Sequence, residues 1–179
     1  MALAAIVVRL PPMNTEREQA ARDYAAEKHA GQKYGEHPYT VHLQAVRDVL
    51  RWAGFHDGHP LSIAAWLHDA IEDTDATRED IAARFGDDVA DLVWAVTGIG
   101  KNRKERNADA YAKIREAQAR FRPAANLKLA DRIANVEASK NAPDKLAMYR
   151  KEWPGFSDAL AGSGFPSLWD RLERALAEE

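Results

Sequence analysis

The sequence predicts an all-α protein, a bundle of about eight to ten helices in one domain. Apolar residues recur at spacings of three and four along most of the 179 residues, which is the period of one helix face. Strand signals are scarce beyond Ala5–Leu10. Proline, glycine and capping residues divide the chain into segments of helical length.

Each helix is predicted from its own start or stop signal. Asn14 is a suitable N-cap, Pro38 suits a first helical turn, and Gly31–His37 is typical of a loop between the two helices. Thr77 and Asp80 form a capping-box pattern with Asp in place of Glu. These signals place helices at about residues 14–30, 38–52, 61–71, 77–85, 88–96 and 108–120, and after Pro123, Pro143 and Pro166.

The segment Leu61–Ile71 is expected to be the central buried helix. It is strongly apolar and therefore unsuited to a surface position, yet it is too short to cross a membrane. Near the other end of the chain, Trp153 and Trp169 are expected to pack internally, with a partner surface as the alternative.

The first 13 residues are expected to be a flexible or added tail, and residues 14–179 the folded domain. The apolar run Leu3–Leu10 contains Arg9, follows no basic region and is too short for a membrane span. A cytoplasmic protein with no membrane partner is therefore expected, either a monomer or a homodimer.

Composition narrows the chemistry that the chain can perform. Hydrophobic residues make up 46% and charged residues 30% of the chain, and the net charge is −3, so neither disorder nor a nucleic-acid partner is indicated. The absence of cysteine excludes disulfides, thiolate metal sites and cysteine nucleophiles. Metal chemistry would have to use histidine and carboxylate ligands.

One short segment carries four groups able to bind metal or transfer protons. His68, Asp69, Glu72 and Asp73 follow the apolar run, where burying charge without a partner is costly. On a regular helix His68 shares a face with Glu72, and Asp69 shares one with Asp73. A divalent metal would account for the group, whereas surface salt bridges at a helix end are the alternative.

A metal site needs ligands from elsewhere in the chain. His42 is one candidate, although a lone histidine on an apolar helix is more often a hydrogen-bonded core residue. Asp131 is the other, because it lies among apolar residues with Asn135 four positions on and so on the same face. An ion pair of Asp131 with Arg132 or Lys128 is the alternative.

Four separated blocks resemble one known family. The hydrolase domain of the RelA/SpoT alarmone enzymes, and of their small single-domain HD relatives, shares them in the same order over roughly residues 20 to 150. The blocks are Tyr39-Thr40-Val41-His42, Leu67-His68-Asp69-Ala70-Ile71-Glu72-Asp73-Thr74, Phe85-Gly86 through Val96-Thr97, and Lys128-Leu129-Ala130-Asp131-Arg132-Ile133-Ala134-Asn135.

The resemblance implies a (p)ppGpp 3′-pyrophosphohydrolase, with a guanosine or adenosine 3′,5′-polyphosphate as nucleotide substrate. It implies that one Mn²⁺ is bound by four residues and that Glu72 and Asp73 prepare the attacking water. The implied metal ligands are His42, His68, Asp69 and Asp131. Substrate contacts are expected from Lys33, Lys128, Asn135, Tyr149 and Arg150.

Three points stay open in the sequence. The basic cluster Lys101, Arg103, Lys104 and Arg106 is either a phosphate site or a solvated loop. Gln32 stands where many relatives place a base-stacking arginine, so Tyr34 could stack on the purine instead. Rival functions are another HD nucleotide phosphohydrolase, such as a 5′-nucleotidase or NADPH phosphatase, and a catalytically silent nucleotide-binding module. Retention of every expected ligand, with Glu72 and Asp73, argues against the silent module.

Overall fold

The computed structural model describes residues 15–117 and 123–177, and this part of the chain is helical with one very small sheet. The elements are α1 (Thr15–Lys28), β1 (Lys33–Tyr34), β2 (His37–Pro38), α2 (Thr40–Trp52), α3 (Pro60–Leu67), α4 (Ala70–Asp73), α5 (Arg78–Val96), α6 (Arg103–Ala117), α7 (Pro123–Ala138), α8 (Pro143–Ala159) and α9 (Pro166–Ala177). The prediction of an all-α bundle is confirmed. The predicted tail at residues 1–13 and the strand signal within it lie outside the described residues.

Helix α3 is the centre of the bundle, as its apolar sequence predicts. Every side chain from Leu61 to Leu67 is buried, and the helix packs against α1, α2, α5 and α7. His59 caps its first turn by accepting a hydrogen bond from the Leu61 amide, and Pro60 occupies the first helical position. None of the described helices combines the length and the apolar composition that a membrane crossing requires.

The predicted continuous helix over residues 61–71 is wrong, because α3 ends at Leu67 and α4 begins at Ala70, with His68 and Asp69 in a turn between them. Asp69 has φ −98° and ψ −2°, although the Asp73 amide still donates to the Asp69 carbonyl oxygen. Successive side chains of a regular helix point about 100° apart. The break therefore allows the neighbouring His68 and Asp69 to face the same point.

The predicted start of α2 at Pro38 is also wrong. Lys33 pairs with Pro38 and Tyr34 with His37 in an antiparallel hairpin, and α2 begins only at Thr40. Gly35 turns the hairpin with φ +62°, a conformation that other residues rarely adopt. Strands of two residues are too short to give an alternating pattern, so the sequence indicated only a loop.

Most of the other boundaries follow the sequence signals, but α6 begins at Arg103, inside the polar stretch 101–107 that was predicted to precede it. The capping box of Thr77 and Asp80 is formed, and Gly86, with φ +77°, separates the two halves of α5. Trp153 and Trp169 pack edge to face at 5.9 Å, and the Trp169 indole donates to the Ser163 carbonyl oxygen at 2.6 Å. The predicted internal packing of these tryptophans is confirmed.

A buried ionic network joins α1, α2 and α3 on the side of the bundle formed by these helices. The Glu18 carboxylate accepts hydrogen bonds from Arg47 Nε at 2.8 Å and from the Gly58 amide at 2.6 Å. Trp66 Nε1 lies 3.4 Å from the same carboxylate. Glu18 and Arg47 are both buried, so each compensates the charge of the other.

Glu18→Ala should lower the free energy of unfolding by about 3 kcal/mol, because it leaves the buried Arg47 guanidinium short of a partner. The exposed Glu16, on the same helix, provides the matched control, and Glu16→Ala should change stability by less than about 0.5 kcal/mol. Urea unfolding of the two variants measures the difference. Equal stability would show that the network contributes nothing.

Candidate active site

Four side chains from three parts of the bundle meet at one point. His42 projects from the first turn of α2, His68 and Asp69 from the break between α3 and α4, and Asp131 from α7. His42 Nε2 lies 3.5 Å from both Asp69 Oδ2 and Asp131 Oδ1. His68 Nε2 lies 3.1 Å and 3.8 Å from the same two oxygens.

These distances fit a shared cation. Ligands bonded to one ion at about 2.1 Å stand about 3–4 Å apart, and the ligand atoms of His42, His68 and Asp131 all lie within 4.8 Å of one another. Asp69 adds an oxygen facing both histidines. The structure thus brings together all four residues that the sequence nominated as metal ligands.

The hydrogen bonding of His68 supports the same interpretation. Its Nδ1 lies 2.8 Å from the Ala65 carbonyl oxygen, an acceptor, so Nδ1 carries the proton and Nε2 of the neutral ring has a free lone pair. Nε2 is buried and has no hydrogen-bond partner among the described residues. A buried nitrogen of this kind, aimed at two carboxylates, is suited to binding a metal.

The two carboxylates of the cluster shift the pKa of the groups that face them. The Asp69 and Asp131 side chains are only 19% and 13% exposed. Burial lowers the pKa of His42, but Asp131 and Asp69 outweigh it and raise that pKa to about 9. Burial would raise the pKa of Asp131, but Lys128 and His42 hold it below its usual range. Two nearby carboxylates therefore stay ionised and attract positive charge.

The alternative role of Asp131, an ion pair with Lys128 or Arg132, is partly observed. Lys128 Nζ lies 3.0 Å from Asp131 Oδ2, so this ion pair exists beside the histidine contacts. Arg132 is turned away: its guanidinium contacts Glu152 at 2.6 Å and the Tyr111 hydroxyl at 3.1 Å. One oxygen of Asp131 thus faces Lys128, and the other faces the histidines.

Glu72 and Asp73 stand at the edge of the cluster with different surroundings. Glu72 Oε2 accepts a hydrogen bond from the Gly98 amide at 2.9 Å, and Oε1 lies 2.9 Å from Arg106 Nε. The Asp73 carboxylate contacts the Tyr39 hydroxyl at 3.3 Å. Partial burial, Asp69 and Glu72 raise the pKa of Asp73. Both oxygens of Glu72 are therefore already engaged, by Gly98 and by Arg106, whereas the environment of Asp73 favours its protonation.

A polar cavity of about 210 Å³ opens above the cluster. Its walls carry the two acidic residues Glu72 and Asp73 together with basic side chains from α6 and α7. The basic residues of the wall are Arg103, Arg106, Lys128 and Arg132. From the sequence cluster of four basic residues, only the two arginines line this cavity. A negatively charged ligand would find both the candidate metal ligands and cationic side chains here.

The nominated substrate contacts divide into two groups. Lys128, Asn135 and Tyr149 line the cavity. Lys33 is exposed on β1 and Arg150 donates from Nε to the Leu176 carbonyl oxygen at 2.8 Å, so the structure does not bring either into the wall. The three lining residues remain in position to meet a ligand.

Several contacts of the site were not predicted from the sequence. Tyr39 donates its hydroxyl to Asp69 Oδ2 at 2.7 Å, and Arg106 pairs with Glu72. A Cβ atom on Gly98 would lie 2.5 Å from the Arg106 carbonyl oxygen, so glycine is required for this approach. A glycine that ends a helix can be recognised in a sequence. The ion pair of Glu72 with Arg106, 34 positions further on, cannot.

Comparisons with known proteins place this geometry in a family. A family model described as an HD domain matches residues 21–154. The guanosine-3′,5′-bis(diphosphate) 3′-pyrophosphohydrolase of Aquifex aeolicus is 45% identical over 101 residues, which are 56% of this chain and 14% of that protein. The protein of the same name from Vibrio cholerae is 38% identical over 120 residues, 64% of this chain and 17% of that one. The chain thus spans less than a fifth of these bacterial relatives.

Shorter relatives match over more of their length. The Drosophila melanogaster protein named guanosine-3′,5′-bis(diphosphate) 3′-pyrophosphohydrolase MESH1 is 33% identical over 121 residues, 65% of each protein. A solved metazoan orthologue of SpoT, described as hydrolysing ppGpp, superposes with a TM-score of 0.71 at 28% identity, over 89% of this chain and 93% of that one. The family match includes all four residues of the cluster, and this chain belongs to the HD-domain family.

Proposed function

We propose that this chain is a metal-dependent phosphohydrolase that removes the 3′-diphosphate from guanosine or adenosine 3′,5′-polyphosphate nucleotides, releasing pyrophosphate. The observation that carries the proposal is the His42, His68, Asp69 and Asp131 cluster at the floor of a cavity with a basic wall. The names of relatives from bacteria and from an animal support the substrate class.

The proposed cofactor is one Mn²⁺ ion, held by His42, His68, Asp69 and Asp131. Two imidazoles and two carboxylates suit a divalent ion of this type, which leaves positions for water and substrate. Such an ion neutralises phosphate charge and favours ionisation of water. A single ion is proposed because the one group of three or more potential ligands found in residues 15–117 and 123–177 is this cluster.

The side chains around the cavity have different roles in hydrolysis. Arg103, Arg106 and Lys128 bind the oxygens of the 3′-diphosphate and balance its charge. Asp73 accepts a proton from the attacking water, since both oxygens of Glu72 already accept from Gly98 and Arg106. The water oxygen bonds to phosphorus, the bond from phosphorus to the ribose 3′ oxygen breaks, and that oxygen takes up the proton that Asp73 accepted.

Glu72 is proposed to act with Asp73 without being the proton acceptor. Its negative charge keeps Arg106 beside the cavity and raises the pKa of Asp73. The two residues that the resemblance paired as catalytic therefore have different tasks. Asp73 moves the proton, and Glu72 maintains the charge around it.

The Mn²⁺-loaded protein should release pyrophosphate from ppGpp or ppApp when offered these nucleotides, NADPH and a nucleoside monophosphate in parallel. The reason is that only the first two present a 3′-diphosphate to the basic wall. Ion chromatography of the products distinguishes pyrophosphate from orthophosphate. Orthophosphate release from NADPH or the monophosphate alone would replace this function with that of another phosphohydrolase.

Asp73→Asn should lower kcat by about 10²- to 10⁴-fold while leaving Mn²⁺ affinity within about threefold, because the amide keeps the size but cannot accept the proton. Single-turnover kinetics and calorimetric metal titration measure the two effects. The matched control is Asp75→Asn, since Asp75 is exposed and paired with Lys28 outside the cavity. Wild-type turnover in Asp73→Asn would remove Asp73 from the mechanism.

A further inference from the structure

Tyr34 covers the metal ligand His42. The two rings are stacked, with centroids 4.9 Å apart and an interplanar angle of 18°. Tyr34 is held there by the hairpin, in which it pairs with His37 across the turn at Gly35. The sequence suggested that Tyr34 could stack on a purine, but the structure places one face of its ring on His42.

His42 lacks the usual means of fixing a ligand histidine. A metal-binding histidine normally donates its second ring nitrogen to a carbonyl or carboxylate, as His68 does to Ala65. His42 Nδ1 is buried and has no hydrogen-bond partner among the described residues. Its ring orientation therefore depends on packing, and the parallel contact is the one with Tyr34.

The Tyr34 hydroxyl reaches the opposite side of the same cluster. It donates to Asn135 Oδ1 at 3.1 Å. That contact orients the amide so that Asn135 Nδ2 donates to Asp131 Oδ1 at 2.6 Å. Asp131 Oδ1 is the oxygen that lies 3.5 Å from His42 Nε2. The ring and the hydroxyl of one tyrosine thus act on two different metal ligands.

The amide of Asn135 is held by hydrogen bonds at both ends. Nδ2 also lies 3.0 Å from the Asp131 carbonyl oxygen, so both ends of the amide are engaged within the protein. Asn135, fixed in this way, orients the carboxylate of Asp131. The resemblance implied a nucleotide contact for Asn135, and the observed hydrogen bonds give it a second task in the metal centre.

We propose that Tyr34 is a positioning residue of the metal centre, which fixes His42 through its ring and Asp131 through its hydroxyl and Asn135. The inference rests on the proposed metal site and goes beyond it by assigning a residue outside the ligand set. The affinity for Mn²⁺ should therefore depend on the ring of Tyr34 and, separately, on its hydroxyl.

Calorimetric titration of metal-free protein with Mn²⁺ tests this assignment. Tyr34→Leu should weaken Mn²⁺ binding by about 10- to 100-fold, the usual cost of losing a residue that supports a metal ligand. Tyr34→Phe keeps the ring and should lose less affinity than Tyr34→Leu, but measurably more than twofold. Tyr24→Phe, in a buried tyrosine of α1 packed against Phe85, is the matched control and should bind Mn²⁺ within twofold of wild type.

A double-mutant cycle separates positioning from a general loss of structure. If the hydroxyl acts through Asn135, Tyr34→Phe should have no further effect on Mn²⁺ affinity in an Asn135→Ala background. Additive losses would overturn that route. Mn²⁺ affinity of Tyr34→Leu within twofold of wild type would overturn the role of the ring. If Tyr34→Leu fails to fold, Tyr34→Met, which also lacks the aromatic ring, takes its place in the test of the ring.

These titrations contain no nucleotide, so they are independent of the proposed substrate. Loss of Mn²⁺ affinity in the Tyr34 variants would support the positioning role even if wild-type protein failed to hydrolyse ppGpp or ppApp. Conversely, a wild-type enzyme that hydrolyses ppGpp, with Mn²⁺ affinity unchanged in both Tyr34 variants, would reject the positioning role and keep the proposed function.

Discussion

The structure depends on one electrostatic constraint, the placement of two largely buried carboxylates within 4 Å of two buried imidazoles. Asp69 and Asp131 both face His42 Nε2 at 3.5 Å and raise the pKa of His42 to about 9, and Asp131 also pairs with Lys128. Ions removed from water need compensating charge close by. A divalent cation among these four side chains would take the place of the histidine proton, so the packing of α2, α3 and α7 also builds a candidate metal site.

The residues around the cluster extend this constraint outward to the cavity. Tyr39 links Asp69 to Asp73, Gly98 contacts Glu72 from the α5–α6 connection, and Arg106 contacts Glu72 from α6. Helix α6 thus contributes to the site although it holds none of the four residues of the cluster. The same helix carries the arginines of the basic wall, so Arg106 both lines the cavity and pairs with Glu72.

The sequence predicted the all-α fold and the residues of the cluster, because both leave local signals. A helical period marks each helix, and His68 and Asp69 stand out as charged groups at the end of an apolar run. The break between α3 and α4 has no such signal, since no glycine or proline marks it. The contacts of Tyr34 and Arg106 have no local signal either, because their partners, His42 and Glu72, meet them only through tertiary packing.

Anomalous diffraction from a crystal of the Mn²⁺-loaded protein would show whether these four residues bind one divalent ion. We expect one strong manganese peak about 2.1 Å from His42 Nε2, His68 Nε2 and an oxygen each of Asp69 and Asp131. A peak that excludes His42 or Asp131, or two peaks of equal height within the cavity, would contradict it.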